Sequence, residues 1–169
     1  MTPDIITAAK GLGNGTPIGV TIARAEVADA MQGTTISTFG GNPVATTAAR
    51  AVLDYIREHR VLENVAVVGA YLRERFLELQ DKYALIGEVR GMGLLQGLEL
   101  VEDRETKEPA TQKTAELMEA ARENRILIGR GGLYGNVARV SPPMNISKTD
   151  VDEFIGRLDD SFAKVTGQA

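Results

Sequence analysis

The 169-residue chain contains no cysteine and no tryptophan, and His59 is its single histidine. The missing cysteines exclude disulfides, zinc fingers and thiol catalysis, and one histidine excludes a metal site built from several histidines. No apolar run reaches the roughly 18 residues of a membrane span, and the first residues lack the basic and apolar blocks of a signal peptide. We therefore expect no metal ligands and no membrane partner.

The chain also has little excess of charge of either sign: it contains 19 Lys and Arg and 23 Asp and Glu, which gives a net charge of −4. A mildly acidic chain without a basic run is a poor match for nucleic acid or for anionic membranes. What the chain does have is 18 glycines, many of them clustered. Such clusters mark places where the backbone approaches something closely.

The pattern beyond residue 82 predicts a complete small α+β domain. Its predicted order is strand, strand, helix, strand, strand, helix, with the first two strands joined by a glycine turn at 91–93. The predicted strands lie at 85–90, 94–101, 126–128 and 137–140, and the predicted helices lie at 111–124 and after a capping sequence that begins at Ser147. The loop between the last two strands is expected at 129–136.

The first 80 residues, in contrast, do not form a complete domain by pattern. They predict at most two short strands and a pair of helices at 44–58 and 62–79, with no sheet for those helices to cover. Asn42 followed by Pro43 is typical of a helix start, since asparagine caps the free N–H groups and proline fits the first turn. The apolar face of that helix is expected to carry Val44. This part therefore looks like a piece of something larger.

Three positions carry candidate chemistry, each with a plainer alternative. Lys10 follows an apolar run and precedes a glycine loop, so it is either a Schiff-base lysine or an ordinary solvated one. Residues 38–43 (TFGGNP) place a hydroxyl and free N–H groups before a helix, which suits a phosphate but equally an ordinary cap. Arg139 lies between apolar residues on a predicted strand, where it either meets a carboxylate or simply alternates toward solvent. The spacing of the glycines at 11–15 fits neither common nucleotide motif, so nucleotide binding is disfavoured.

Together these segments resemble class III pyridoxal-phosphate-dependent aminotransferases. Residues 3–19 (PDIITAAKGLGNGTPIG) closely resemble the cofactor-lysine segment of that family, and residues 38–43 resemble its second hallmark. Two further matches lie at 89–94 (VRGMGL) and 139–143 (RVSPP), in family order and with family spacing. Within the class, the sequences at 87–91 and 129–132 are most similar to the alanine–glyoxylate aminotransferase 2 branch.

The resemblance implies a role for each matched residue. Lys10 would be the catalytic residue, bonding covalently to pyridoxal phosphate and then moving a proton at the substrate's α-carbon. Thr38 and Phe39 would join Lys10 as cofactor-binding residues, with Thr38 donating to the phosphate across a dimer interface. Arg139 would bind the α-carboxylate of the substrate. Thr35 occupies a position where many relatives have histidine, which we expect to alter only local packing.

The resemblance also implies a fold and an activity. The fold class is α/β, the carboxy-terminal part of a fold-type I transferase, with residues 1–60 a fragment of the large domain and 61–169 a linking helix plus the small domain. The intact enzyme would be a cytoplasmic homodimer that moves an amino group between an amino acid and a 2-oxo acid. Relatives are two to three times longer and supply further cofactor contacts, so we expect this chain alone to be inactive. The alternative is a non-enzymatic dimerisation module.

Overall fold

A computed structural model describes residues 2–168, and the chain divides into two compact units, Met1–Arg60 and Val61–Ala169. The fold is α/β, with a two-stranded antiparallel sheet in the first unit and a four-stranded antiparallel sheet in the second. The first unit comprises β1 (Ile5–Ala8), a 3₁₀ helix (Lys10–Gly13), β2 (Val20–Ala23), α1 (Ala25–Ala28) and α2 (Pro43–Glu58).

The first unit has very little core of its own. Its two strands are exposed along nearly their whole length, and among the described residues its buried positions are all small: Gly13, Ala45 and Ala49. A two-stranded sheet with no covering layer is marginal in water, since it cannot bury enough apolar surface to offset the entropy of ordering.

Helix α2 begins where the sequence predicts. Asn42 accepts a hydrogen bond from the N–H of Ala45 at 3.0 Å, and Pro43 occupies the first turn. The buried face differs from the prediction, because Val44 is 74% exposed while Ala45 and Ala49 are buried. The reason is that α2 packs on the short 3₁₀ helix rather than on a sheet, and small side chains allow that close approach.

The second unit is a sheet covered on one face by three helices. Its strand order is β3-β4-β6-β5, with every neighbouring pair antiparallel. The elements are α3 (Val61–Lys82), β3 (Ile86–Met92), β4 (Leu95–Leu100), α4 (Thr111–Glu123), β5 (Gly129–Gly131), β6 (Val137–Val140) and α5 (Lys148–Thr166). Alternate residues of β4 are buried, which follows from the two-residue period of a strand.

A continuous apolar core lies between this sheet and its helices. It includes Leu72 and Phe76 of α3, Leu98 of β4, Leu117 of α4 and Phe162 of α5, all essentially inaccessible to water. At about 25 cal/mol per Å² of apolar surface, burial of side chains of this size supplies the main driving force for folding. The second unit therefore has a continuous apolar core, which the first unit lacks among its described residues.

The order of elements in the second unit agrees with the prediction, but one strand is displaced. The segment 126–128 was expected as a strand, whereas the pairing strand is β5, in the glycine segment that was expected as a loop. Ile126 is apolar because it packs into the core, not because it pairs in the sheet.

The capping sequence before α5 is as predicted: Ser147 and Asp150 bond reciprocally. Within residues 2–168, no helix has the length and apolar character needed to cross a membrane.

Candidate active site

Lys10 lies at the first position of the 3₁₀ helix, with one residue, Ala9, between it and the end of β1. Its backbone φ is +55°, a left-handed conformation that costs a non-glycine residue about 1 kcal/mol or more. The side chain is exposed, and within residues 2–168 its amine makes no hydrogen bond or ion pair. Lys107 has a similar φ of +58°, so the backbone conformation alone does not identify a site. What the geometry provides at Lys10 is a free primary amine on a backbone in a left-handed conformation.

The segment around Lys10 is held by short-range contacts. The N–H of Leu12 donates to the carbonyl of Ala9 at 3.2 Å, and the N–H of Thr16 donates to the carbonyl of Gly13 at 3.0 Å. Helix α2 packs against this segment within the same unit. The lysine segment and the helix that follows Thr38 therefore fold into one compact unit.

The loop before α2 is a tight turn that ends in the cap. The N–H of Gly40 donates to the carbonyl of Ser37 at 3.1 Å, and the Asn42 side-chain amide donates to the carbonyl of Phe39 at 2.9 Å. A Cβ at Gly40 would lie 2.9 Å from the Ser37 side chain, so only glycine fits there. Asn42 thus acts as an ordinary helix cap, which is the plainer of the two predicted roles of this segment. Phosphate binding would have to use the groups that the cap leaves free.

Those free groups suit a phosphorylated cofactor. Within the described residues, the Thr38 hydroxyl makes no hydrogen bond, and the side chains of Thr38 and Phe39 are exposed, Phe39 to 81%. A hydroxyl donor and an exposed ring lie just before a helix N-terminus, where the helix dipole favours an anion. Together with the free amine of Lys10, these are the donor types that pyridoxal phosphate requires, and they fit the group.

Arg139 belongs to the second unit and lies on β6, on the face of the sheet away from the core. Sequence reasoning considered an arginine buried among apolar neighbours, but the side chain is exposed. Its cross-strand neighbours are Gly97 on β4 and Gly129 on β5. A Cβ at Gly129 would lie 3.1 to 3.5 Å from the guanidinium, so that group rests directly over the glycine. Within residues 2–168 it makes no hydrogen bond or ion pair, which leaves its N–H groups available to a carboxylate.

A second arginine lies on the same face of the sheet and is paired with carboxylates. Arg90 on β3 donates to Glu88 at 2.6 Å and also pairs with Glu99 on β4. The hydrogen bond to Glu99, helped by the one to Glu88 and opposed by burial, raises the pKa of Arg90 above its ordinary value. The two arginines therefore differ in their freedom to bind an external anion.

Sequence reasoning missed Gly129 and Arg90 as parts of this surface. Gly129 and Gly131 were assigned to a loop, although glycine in a strand can mark a place where another group approaches closely, as Arg139 does at Gly129. The pairing of Arg90 with Glu99 depends on the register of β3 and β4, which no local pattern indicates.

Other surfaces of the described chain offer less chemistry. An apolar cavity of about 240 Å³ lies beside the end of β6, lined by Leu72, Val140 and Pro142 among others, with no charged side chain. Among residues 2–168, no group of three or more acidic or histidine side chains is placed to hold a metal ion.

The family model of the class III aminotransferases matches residues 1–162. The chain belongs to the class III aminotransferase family. It is 45% identical over 166 residues to alanine–glyoxylate aminotransferase 2 homolog 2, mitochondrial, of Arabidopsis thaliana, a match that covers 98% of this chain and 35% of that protein. It is 41% identical over 164 residues to the leucine/methionine racemase of Thermococcus litoralis, covering 96% of this chain and 37% of that protein. The human mitochondrial alanine–glyoxylate aminotransferase 2 is 37% identical over 153 residues, with 89% and 30% covered.

Solved structures agree with this assignment. A Bacillus anthracis aminotransferase superposes with a TM-score of 0.90 at 36% identity, covering 96% of this chain and 39% of that one. An amine transaminase from an uncultivated Pseudomonas species, solved with pyridoxal phosphate bound, gives a TM-score of 0.86 at 34% identity, with 96% and 38% covered. The predictions of the family, of its alanine–glyoxylate aminotransferase 2 branch and of the fold class are confirmed. The chain spans about a third of the length of the curated relatives that it matches.

Proposed function

We propose that this chain contributes the lysine, the phosphate-side donors and the carboxylate-binding arginine of a pyridoxal-phosphate-dependent aminotransferase. The activity is transfer of an amino group between an amino acid and a 2-oxo acid. The observation that carries the proposal is Lys10: a free amine in a strained backbone conformation, in a segment that resembles the cofactor-lysine segment of the family. Pyridoxal phosphate, when bound, supplies a carbonyl for the amine and a conjugated ring that accepts electrons.

Each residue of the chain has a distinct task in this proposal. Lys10 uses its Nζ as a nucleophile to hold the cofactor, and the released amine then takes and returns the proton at the substrate's α-carbon. Thr38 donates its hydroxyl to the phosphate, and Phe39 contacts the cofactor beside it. Arg139 orients the substrate through two parallel N–H bonds to its carboxylate. Because that binding is directional, it fixes the orientation of the bound α-carbon.

Mapping a reduced adduct tests the proposal. The 169-residue chain is mixed with pyridoxal phosphate and reduced with borohydride, and the modified peptides are then identified by mass spectrometry. We expect dominant modification of Lys10, and loss of that modification in Lys10→Ala. Lys107→Ala is the matched control, since Lys107 is also an exposed lysine in a left-handed conformation. Equal labelling of many lysines would contradict the proposal and favour the non-enzymatic module.

Low turnover of these 169 residues alone is part of the proposal. The family resemblance assigns a ring-stacking aromatic, a partner for the pyridine nitrogen and a phosphate turn to sequence that has no match here. The sparse core of the first unit supports this, because its exposed strands need further chain to hold Lys10 rigidly. Strong transaminase activity of the isolated chain would contradict this part alone.

The alternative, a dimerisation module without catalysis, has one observation in its favour: the second unit contains an extensive core and the first does not. Assembly as a homodimer is compatible with both functions. The exposed apolar side chains of the first unit, such as Ile6 and Ile22, favour it. A cytoplasmic location is likewise a proposal; the names of the Arabidopsis and human relatives place those proteins in mitochondria.

A further inference from the structure

The outer face of the four-stranded sheet carries one row of four residues that crosses all its strands. Arg90 pairs with Gly97, Gly97 pairs with Arg139, and Arg139 pairs with Gly129. Residues directly opposite each other on neighbouring strands point to the same face. The two arginines therefore share one surface, and the residue between them has no side chain to separate them.

Two carboxylates lie on the same face, one step along the strands. Glu88 and Glu99 are directly opposite each other on β3 and β4. Like charges in that position repel, so the pair needs a cation. Arg90 supplies it by bonding both carboxylates. Arg104 lines the adjoining surface cavity, but its guanidinium is committed to backbone carbonyls, including that of Tyr83 at 2.9 Å.

Glu99 is also a neighbour of Arg139. Glu99 pairs with Val137, and Arg139 is the next residue on that face of β6, so the two are diagonal neighbours across β4 and β6. Long side chains reach each other over a diagonal. The structure nevertheless places the Arg139 guanidinium over Gly129, on the opposite side of β6, while Glu99 is bound to Arg90. Glu99 thus lies near two arginines and forms an ion pair with one of them, Arg90.

We propose that Arg90 is a positioning residue that sequesters Glu99 and so keeps Arg139 free for the substrate carboxylate. The inference rests on the proposed role of Arg139 and deepens it. An arginine paired with an internal carboxylate must break that pair before it binds an external one, which lowers its apparent affinity. Arg90 prevents this without touching the substrate.

The test combines two measurements on the 169-residue chain at constant ionic strength. The Nε–H resonance of Arg139, assigned by its loss in Arg139→Ala, reports whether its guanidinium is paired. Titration with pyruvate, followed by NMR, measures carboxylate binding. In Arg90→Ala we expect the Arg139 resonance to shift before any pyruvate is added, and pyruvate to bind about threefold more weakly. In Arg90→Ala/Glu99→Gln both effects should revert, because the competing carboxylate is gone.

The control is Arg122→Ala, which removes another exposed arginine that pairs with a glutamate, on α4. It should bind pyruvate as the parent does. Parent-like binding by Arg90→Ala overturns the inference. That result is expected if Lys107, which lines the same surface cavity as Glu99 and Arg104, neutralises Glu99 in place of Arg90. Weak binding that persists in the double variant also overturns it, because the role of Arg90 would then be structural. Parent-like binding by Arg139→Ala would instead refute the proposed role of Arg139, and the inference with it.

Discussion

At the scale of single residues, the position of Arg139 depends on a neighbour with no side chain. Gly129 pairs with Arg139 across β5 and β6, and the guanidinium lies only 3.1 to 3.5 Å from where a Cβ would be. Gly131 lies two residues along the same strand, and a Cβ there would meet nothing within 4 Å. One strand therefore offers both a test position and its control.

Gly129→Ala should displace the guanidinium of Arg139 and weaken pyruvate binding by about twofold, because the arginine loses a fixed resting place. Gly131→Ala should leave both unchanged. The Arg139 Nε–H resonance and the pyruvate titration measure the two effects. If the two alanine variants behave alike, Gly129 has no specific role in positioning Arg139.

At the scale of secondary-structure elements, a polar cluster joins α5 to the end of α3. Asp159 accepts hydrogen bonds from the Lys82 amine at 2.7 Å and from the hydroxyl of the buried Tyr83 at 2.6 Å, and the Tyr83 ring stacks on Phe162. Burial of the Asp159 carboxylate acts to raise its pKa, but the hydrogen bonds from Lys82 and Tyr83 outweigh it, so the pKa is lowered. The carboxylate is thus more stable in the folded than in the unfolded chain.

A lowered folded-state pKa makes the contribution of Asp159 to stability depend on pH. The contribution is present above the unfolded pKa and is lost as the pH falls through the lower folded pKa. Asp159→Asn should therefore lower the melting temperature at pH 7 more than at pH 2. Asp160→Asn is the control, because the neighbouring Asp160 is exposed. Equal losses at both pH values would show that the charge of Asp159 contributes nothing.

At the scale of the whole molecule, the two units differ in what they can bury. The second unit has its own sheet, three covering helices and a continuous core. The first has two exposed strands and, among its described residues, only small buried ones. Since apolar burial must offset the conformational entropy of the ordered residues, the units should differ sharply in independent stability.

A chain of residues 61–169 should accordingly fold by itself and melt cooperatively, whereas a chain of residues 1–60 should show no cooperative transition. Circular dichroism during heating, together with amide hydrogen exchange, measures both. Slow exchange in the isolated 1–60 chain would mean that the first unit has a source of stability beyond its buried surface. Gradual melting of 61–169 would mean that its core depends on the first unit.

Local signals in the sequence predicted most of the elements. Asn42 with Pro43, and Ser147 with Asp150, each satisfy free helix N–H groups through side chains nearby in sequence, so both helix starts were predicted correctly. The segment 126–128 was predicted wrongly, because an apolar residue such as Ile126 serves equally in a strand and in a core. The placement of Val44 on the buried face of α2 was also wrong, since the layer against which a helix packs is not encoded in its own periodicity.

The sequence by itself determined the family, the order of elements and the identity of the candidate lysine, because these depend on residue types at fixed spacings. Only the tertiary structure decided which arginine is free. Arg90 and Arg139 both lie in strands and have the same chemistry. The difference arises because the register of β3 and β4 places Glu99 where Arg90 bonds it, while the register of β5 and β6 places beside Arg139 the glycine over which its guanidinium lies. Register joins residues that are distant in sequence, so it is a property of the assembled sheet and not of either strand.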